Sequence, residues 1–328
     1  MNIVFVYVTL SPFVKRDLEI LKKYFNVKPI KWATFWDLKM ILSLIRAILT
    51  SDLCFIWFAD FHAAFTVFLS KILRRKSVVV VGGYEVAKVP EIGYGAMLRP
   101  WSAYIVKYVI RIADKILAVS EFNKKEILKY TDSRNVRLIY NGVDCKKFKP
   151  NSKRDNLVIT VIHTISDFTK KIKGLETFIK AAKYLPDIRF IVIGKYFNSS
   201  MKYLKAQASP NLEFLGFVPN EDLVKLYQKA KVYCQLSYRE SFGMALAEAM
   251  ACGCVPVVTD RGALPEVVGD VGYYVPYGDP KSTAEAVKKA LESDQSRGKM
   301  ARRRIKKHFS IERREKELIS IIKRVLES

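Results

Sequence analysis

The chain reads as an α/β protein made of two doubly wound, parallel-sheet domains. Three observations predict this. Short, continuously apolar, β-rich runs alternate with helical patterns along all 328 residues; they fall into two series of five; and a basic, turn-rich stretch separates the series. Apolar strands alternating with helices belong to sheets covered on both faces. Two such series give two Rossmann-like halves, and the length suits two domains better than one.

The first series opens with Ile3 to Val8, which lacks a basic leader and reads as a buried strand rather than a signal peptide. A helical pattern runs from Phe35 to Thr50. Leu53 to Phe58 is a strand followed by a helix to Ser70; Asp60 and His62 interrupt this apolar stretch and argue against a membrane span. Val78 to Val81, the helix Met97 to Ala113, and the strands Lys115 to Val119 and Val136 to Tyr140 complete the series. The turn signal Asn141-Gly142 and the polar stretch Asp144 to Asn156 mark the join, giving a first domain over 1–150. Val158 to Ile162, Arg189 to Ile193, Leu212 to Phe214, Val232 to Leu236 and Val255 to Val258 are the strands of a second domain over 151–310. Apolar positions 311, 318, 321, 322, 325 and 326 predict an amphipathic helix over 311–328, expected to pack back toward the first domain.

Lys plus Arg number 56 against 32 Asp plus Glu, a formal charge of +24. Residues 1–150 hold 25 of these cations and 12 of the acids, so the excess is spread over both halves rather than carried on a tail. Such a charge calls for an anionic partner: a phosphate-bearing substrate, a lipid surface or nucleic acid. Nucleic acid is not expected, because no recognised binding module is present. Half the residues are hydrophobic, which excludes a disordered segment. Five cysteines without a C-x-x-C pair point to a reducing cytoplasm. Three scattered histidines and no D-x-D announce no metal site, and the neighbours Cys252 and Cys254 read as small buried hydrophobes.

The segment that carries chemistry is Tyr238-Arg-Glu-Ser-Phe-Gly-Met-Ala-Leu-Ala-Glu-Ala-Met-Ala-Cys-Gly253. A strand ends near Ser237, a loop containing Gly243 follows, and an Ala-rich helix runs to Gly253. Free N–H groups at such a helix start, together with its dipole, favour a diphosphate. Glu240 precedes the helix and Glu248 lies within it, so the two carboxylates can reach opposite ends of one elongated ligand.

This Glu, seven residues, Glu spacing closely resembles the retaining glycosyltransferases of family 4 (glycosyl transferases group 1), which have the GT-B fold: two Rossmann-like domains facing a central cleft. The resemblance extends over Lys173-Gly174, Ile193-Gly194, Leu215-Gly216-Phe217-Val218 and Leu264-Pro265-Glu266. Upstream it includes Tyr140-Asn141-Gly142-Val143-Asp144 and Phe148-Lys149-Pro150. It implies metal-independent transfer of a sugar, a hexose by expectation, from a nucleoside-diphosphate sugar to a glycan or lipid-linked acceptor. UDP- or GDP-sugar is the expected co-substrate, with no cofactor beyond it. Carried over by position, Glu240 would hold donor-sugar hydroxyls, with the backbone amides of Phe242, Gly243 and Met244 on the same sugar. The Ala245 amide would contact a phosphate, Glu248 the ribose hydroxyls, and Lys173 the departing diphosphate.

Two departures accompany the resemblance. The family's Arg before the Lys-Gly pair is absent from Ser166 to Lys173, leaving Lys170 or Lys171 as substitutes, a point charge in place of a fork. The usual first-domain His is replaced in Val81-Gly82-Gly83-Tyr84-Glu85, where it falls at Gly82 and makes Glu85 a secondary candidate. His62 could approach the cleft instead, although a partly buried turn histidine without a catalytic task is the preferred reading. The basic, aromatic-laced helices 35–50 and 97–113 read either as ordinary packed helices or as a peripheral contact with anionic membrane at the inner face. In the second reading Trp36, Trp101, Tyr104 or Tyr108 enter the headgroup layer. Two rivals share the scaffold: a nucleotide-sugar epimerase or hydrolase, and a non-catalytic sugar-nucleotide or polyanion binder.

Overall fold

Six strands form the first sheet, and their composition explains their places. A computed structural model of the chain describes residues 1–34, 37–132, 134–151, 154–196 and 200–327. The strands are β1 (Asn2–Tyr7), β2 (Asn26–Lys31), β3 (Leu53–Trp57), β4 (Lys76–Val81), β5 (Lys115–Ala118) and β6 (Val136–Leu138). Their order is β2-β1-β3-β4-β5-β6, and every neighbouring pair is parallel. Central β3, Leu-Cys-Phe-Ile-Trp, is buried at every residue, as a strand covered by helices on both faces must be. Val4, Val6, Ile56, Val79 and Ile116 meet Leu44, Ile48, Val67 and Val109 of the covering helices in one core.

The second sheet holds β7 (Asp155–Ile165), β8 (Arg189–Tyr196), β9 (Leu212–Gly216), β10 (Ala230–Gln235), β11 (Val255–Thr259) and β12 (Tyr273–Val275). It runs β12-β11-β10-β7-β8-β9, again parallel throughout. Val158, Val192, Val232 and Val257 pack with Phe178, Ile179 and Val287 from its helices.

Ten of these twelve strands coincide with apolar runs in the sequence. The other two, β2 and β12, are edge strands. Asn-Val-Lys-Pro-Ile-Lys buries only Ile30 and carries Pro29, which an edge tolerates; Tyr273–Val275 is three residues long.

The chain divides into one unit of Met1–Gly142 with Glu312–Ser328 and a second of Val143–Ile311. This moves the join from the expected 150. Residues 143–149 are tied into the second unit by main-chain bonds. Val143 N–H donates to Phe309 O (2.8 Å), Ile311 N–H to Val143 O (3.0 Å), and Arg302 to the carbonyls of Cys145 and Phe148. The last helix, Ile311–Glu327, is anchored in the first unit by a buried fork. Arg314 donates two 2.6 Å bonds to Asp17 and others to the carbonyls of Ile139 and Tyr140, while Trp57 Nε1 donates to Asp17 at 3.0 Å.

Candidate functional site

In the second unit β10 ends at Gln235, and the chain turns through Leu236–Gly243 into the helix Met244–Ala251. Gly243 is the helix N-cap, in left-handed backbone (φ 90°) and with no capping side chain. Glycine brings no side chain to cap the first-turn amides, an arrangement suited to an anionic or hydroxyl-rich ligand. Phe242 is buried, its ring edge-on to Phe309 at 5.6 Å, which fixes the loop behind those amides.

Lys173 and Glu240, 67 residues apart, are brought into direct contact: Lys173 Nζ donates to Glu240 Oε2 at 2.6 Å. Gly174 makes this approach possible. Its φ is 61°, and a Cβ there would stand 2.0 Å from the carbonyl oxygen of Leu236, so only glycine lets the Lys173 turn press against the end of β10. The Tyr238 amide donates to Ile172 O at 2.8 Å and locks the two segments together. On the other side the Ala263 amide donates to Glu240 O at 2.9 Å.

A polar chain unmarked in the sequence supports this pair. Tyr233 OH donates to Gln235 Oε1 (3.0 Å), Gln235 Nε2 donates to Ser237 Oγ (2.7 Å) and Glu240 Oε2 (3.3 Å), and Thr259 Oγ1 donates to Ser237 O (2.6 Å). Gln235 and Ser237 are buried, so their hydrogen bonds fix the Glu240 carboxylate in one orientation. Polar residues at alternate positions on the last turn of an apolar strand were the available signal. Burial drives the Tyr233 phenol well above its ordinary range, so it stays a donor.

Glu248 is half-buried, four residues after Met244 and so on the same helix face. Met244 and Ala245 are half-buried at the helix start. The two substitutes for the missing arginine differ. Lys170 pairs with Asp167 (2.9 Å) and Glu176 (3.9 Å) and lies 4.8 Å from the Tyr203 ring centre; the Asp167 hydrogen bond raises its pKa above the usual lysine range. Lys171 is exposed, and its carbonyl accepts from Tyr277 OH at 2.6 Å.

The first-unit candidates serve the fold of their own loops. His62 is 2% exposed, and its Nε2 lies 2.8 Å from Trp57 O; burial lowers its pKa. A histidine so enclosed does not present itself to a substrate, which corrects the alternative that it replaces the missing first-domain His. Glu85 is buried and accepts from the amides of Ala59, Gly82 and Gly83 at 3.2, 3.0 and 2.8 Å. Burial pushes its carboxyl up while those amides pull it down. At Gly82 a Cβ would meet the Phe58 ring at 2.6 Å: Phe58 fills the space in which a side chain at 82 would begin. Among the described residues no group of His, Cys, Asp and Glu could hold a metal ion, and no helix is long and apolar enough to cross a membrane. Trp101 and Tyr104 project from the helix Pro100–Ile112, 83% and 70% exposed; Tyr108 packs on the core, and Trp36 lies outside the described residues.

Residues 4–147 match the profile described as Glycosyltransferase Family 4, and residues 145–307 match Glycosyl transferases group 1. The chain belongs to the glycosyl transferases group 1 family. Within it, the chain is 26% identical over 203 residues to O-antigen chain mannosyltransferase B of Escherichia coli, covering 56% of this chain and 52% of that one. It is 30% identical over 187 residues to D-inositol 3-phosphate glycosyltransferase of Mycobacterium sp. (strain KMS), covering 52% and 43%. The match thus spans about half the length of these curated relatives. Among solved structures, Anabaena HepE in complex with UDP and glucose superposes with a TM-score of 0.79 at 18% identity, covering 98% of this chain and 99% of that one. Sucrose-phosphate synthase from Thermosynechococcus elongatus gives 0.80 at 15% identity, covering 100% and 99%. The fold is that of the GT-B glycosyltransferases.

Proposed function

We propose that this member of the group 1 glycosyltransferases moves a hexose from a nucleoside-diphosphate sugar to a glycan or lipid-linked acceptor, with retention of anomeric configuration and without a metal. The observation that carries this reading is the Lys173–Glu240 contact beside the glycine-capped helix start. Breaking a sugar–phosphate bond puts negative charge on the leaving diphosphate, and a cation beside a helix N-terminus stabilises it. In this reading Lys173 turns from Glu240 to the diphosphate as donor binds, releasing the carboxylate to accept from sugar hydroxyls. The amides of Phe242, Gly243 and Met244 hold the sugar, that of Ala245 a phosphate, and Glu248 the ribose. The UDP seen with HepE favours UDP over GDP as the donor nucleotide.

Acceptor recognition we assign to the first unit. If the acceptor is lipid-linked, exposed Trp101 and Tyr104, on a helix that also carries Lys107 and Arg111, would make the protein a peripheral one at the cytoplasmic face of a membrane. The test is a panel of UDP- and GDP-sugars incubated with and without glycan and lipid acceptors, in chelator and then in magnesium. The reading expects donor consumption only with acceptor and indifference to chelator. Cleavage without acceptor would mean a hydrolase or epimerase, and activity lost in chelator and regained with magnesium would end the metal-free mechanism.

A further inference from the structure

A second group of cations gathers at the opposite edge of the second sheet, where strands begin rather than end. A cavity of about 640 Å³ opens beside Asn156, Lys231 and Val255, at the starts of β7, β10 and β11, and the helix Gln295–His308 forms its other wall. Arg154, Lys231, Lys299, Arg302, Arg303 and Lys306 line it; Asp294 is the single carboxylate among its described lining residues. Asp294 is already used as the helix N-cap, accepting from the Ser296 amide at 2.6 Å.

The six cations divide into two sets. Arg154 donates to the carbonyls of Ala230 and Cys252, and Arg302 to those of Cys145 and Phe148. These bonds fix both guanidinium groups at the cavity wall without neutralising them. Lys231, Lys299, Arg303 and Lys306 carry no ion pair among the described residues. Three of these sit at i, i+4 and i+7 of one helix, hence on one face, where like charges repel and destabilise the helix. A volume of this size is that of a small-molecule pocket. An oxyanion entering it would relieve the repulsion and meet guanidinium groups suited to bidentate contact.

We propose that this cavity is a second anion site, separate from the Lys173–Glu240 region, that binds a small ligand or head group carrying clustered phosphates. The test is calorimetric titration of the full chain with inorganic tripolyphosphate, together with sedimentation on phosphatidylcholine vesicles with and without phosphatidylinositol bisphosphate. Three proteins are compared: wild type, the cavity triple Lys299→Gln/Arg303→Gln/Lys306→Gln, and a control triple of equal charge in the first unit, Lys22→Gln/Lys28→Gln/Lys39→Gln. All six side chains are exposed, so both triples should fold, which circular dichroism verifies. The cavity triple should lose at least about tenfold in affinity, the loss of one hydrogen bond to a charged group, while the control stays near wild type. Loss with tripolyphosphate assigns a soluble ligand, and loss confined to the vesicles assigns a lipid head group; either supports the site. Equal losses in the two triples, or no binding of either probe by wild type, overturn it. Wild-type binding of both probes by both triples, as when tripolyphosphate is held only near Lys173, would likewise overturn it.

Discussion

The two units are each built on a six-stranded parallel sheet, in different strand orders, and they use their ionisable residues differently. In the second, Lys173 and Glu240 are partly open to solvent and held by Gln235, Ser237 and the Gly174 turn, so polar groups face outward from a rigid support. In the first, Asp17, His62 and Glu85 are buried, and each is engaged by the unit's own backbone or by Arg314. A charge that holds a loop together is poorly placed to act on a ligand, and a charge that acts on a ligand needs a second layer to orient it. The second unit therefore carries the built polar site, to which donor binding is assigned in the proposed reaction, while the first keeps these charges inside its fold.

The largest effect that sharpens this contrast concerns stability. Arg314→Met leaves Asp17 buried without its cation and should cost about 3–5 kcal/mol, read from urea unfolding, because a buried charge stripped of its partner is left uncompensated. A loss below about 1 kcal/mol, the range of exposed pairs, would show that the fork is ornamental. Next is Glu248→Ala, which should weaken binding of free UDP by about 1.5–3 kcal/mol through loss of a charged acceptor. Glu240→Ala should leave that affinity alone and impair sugar transfer. Calorimetry showing equal losses would merge the two roles.

The smallest effect belongs to His62. Burial holds its imidazole below the ordinary value, so the unfolded chain takes up the proton first. The stability it contributes is full above about pH 6.5 and declines as pH falls through that value. His62→Gln should flatten the dependence of unfolding free energy on pH between about 7 and about 5 and leave the pH profile of turnover unchanged. A turnover profile that moves with this substitution would return His62 to the reaction and blur the contrast between the units.

Much of this was legible in the sequence, for physical reasons that also mark where it was not. Central strands such as Leu53–Trp57 and Val255–Thr259 announce themselves because both faces are covered. Edge strands β2 and β12 do not, since half-solvated strands keep their polar residues. Glu240 and Glu248 stood out through motif spacing and Lys173 through the family resemblance, but the Lys173–Glu240 contact spans 67 residues and the Asp17–Arg314 fork 297, and no local pattern encodes such pairs. Gln235 and Ser237 read in sequence as a strand end, and their bonds to Glu240 exist only in the folded chain. At Gly82 the missing side chain was visible, while the reason, the Phe58 ring lying across it, was not.

In the proposed reaction Lys173 acts on the charge that develops as the donor breaks. The most direct measurement is the steady-state turnover of Lys173→Ala beside its calorimetric affinity for UDP. Turnover should fall by about 10²–10³, the cost of removing one preorganised group from a developing anion, with UDP affinity changed far less. Turnover kept within a few-fold of wild type, or lost only in proportion to UDP affinity, would contradict that role for Lys173.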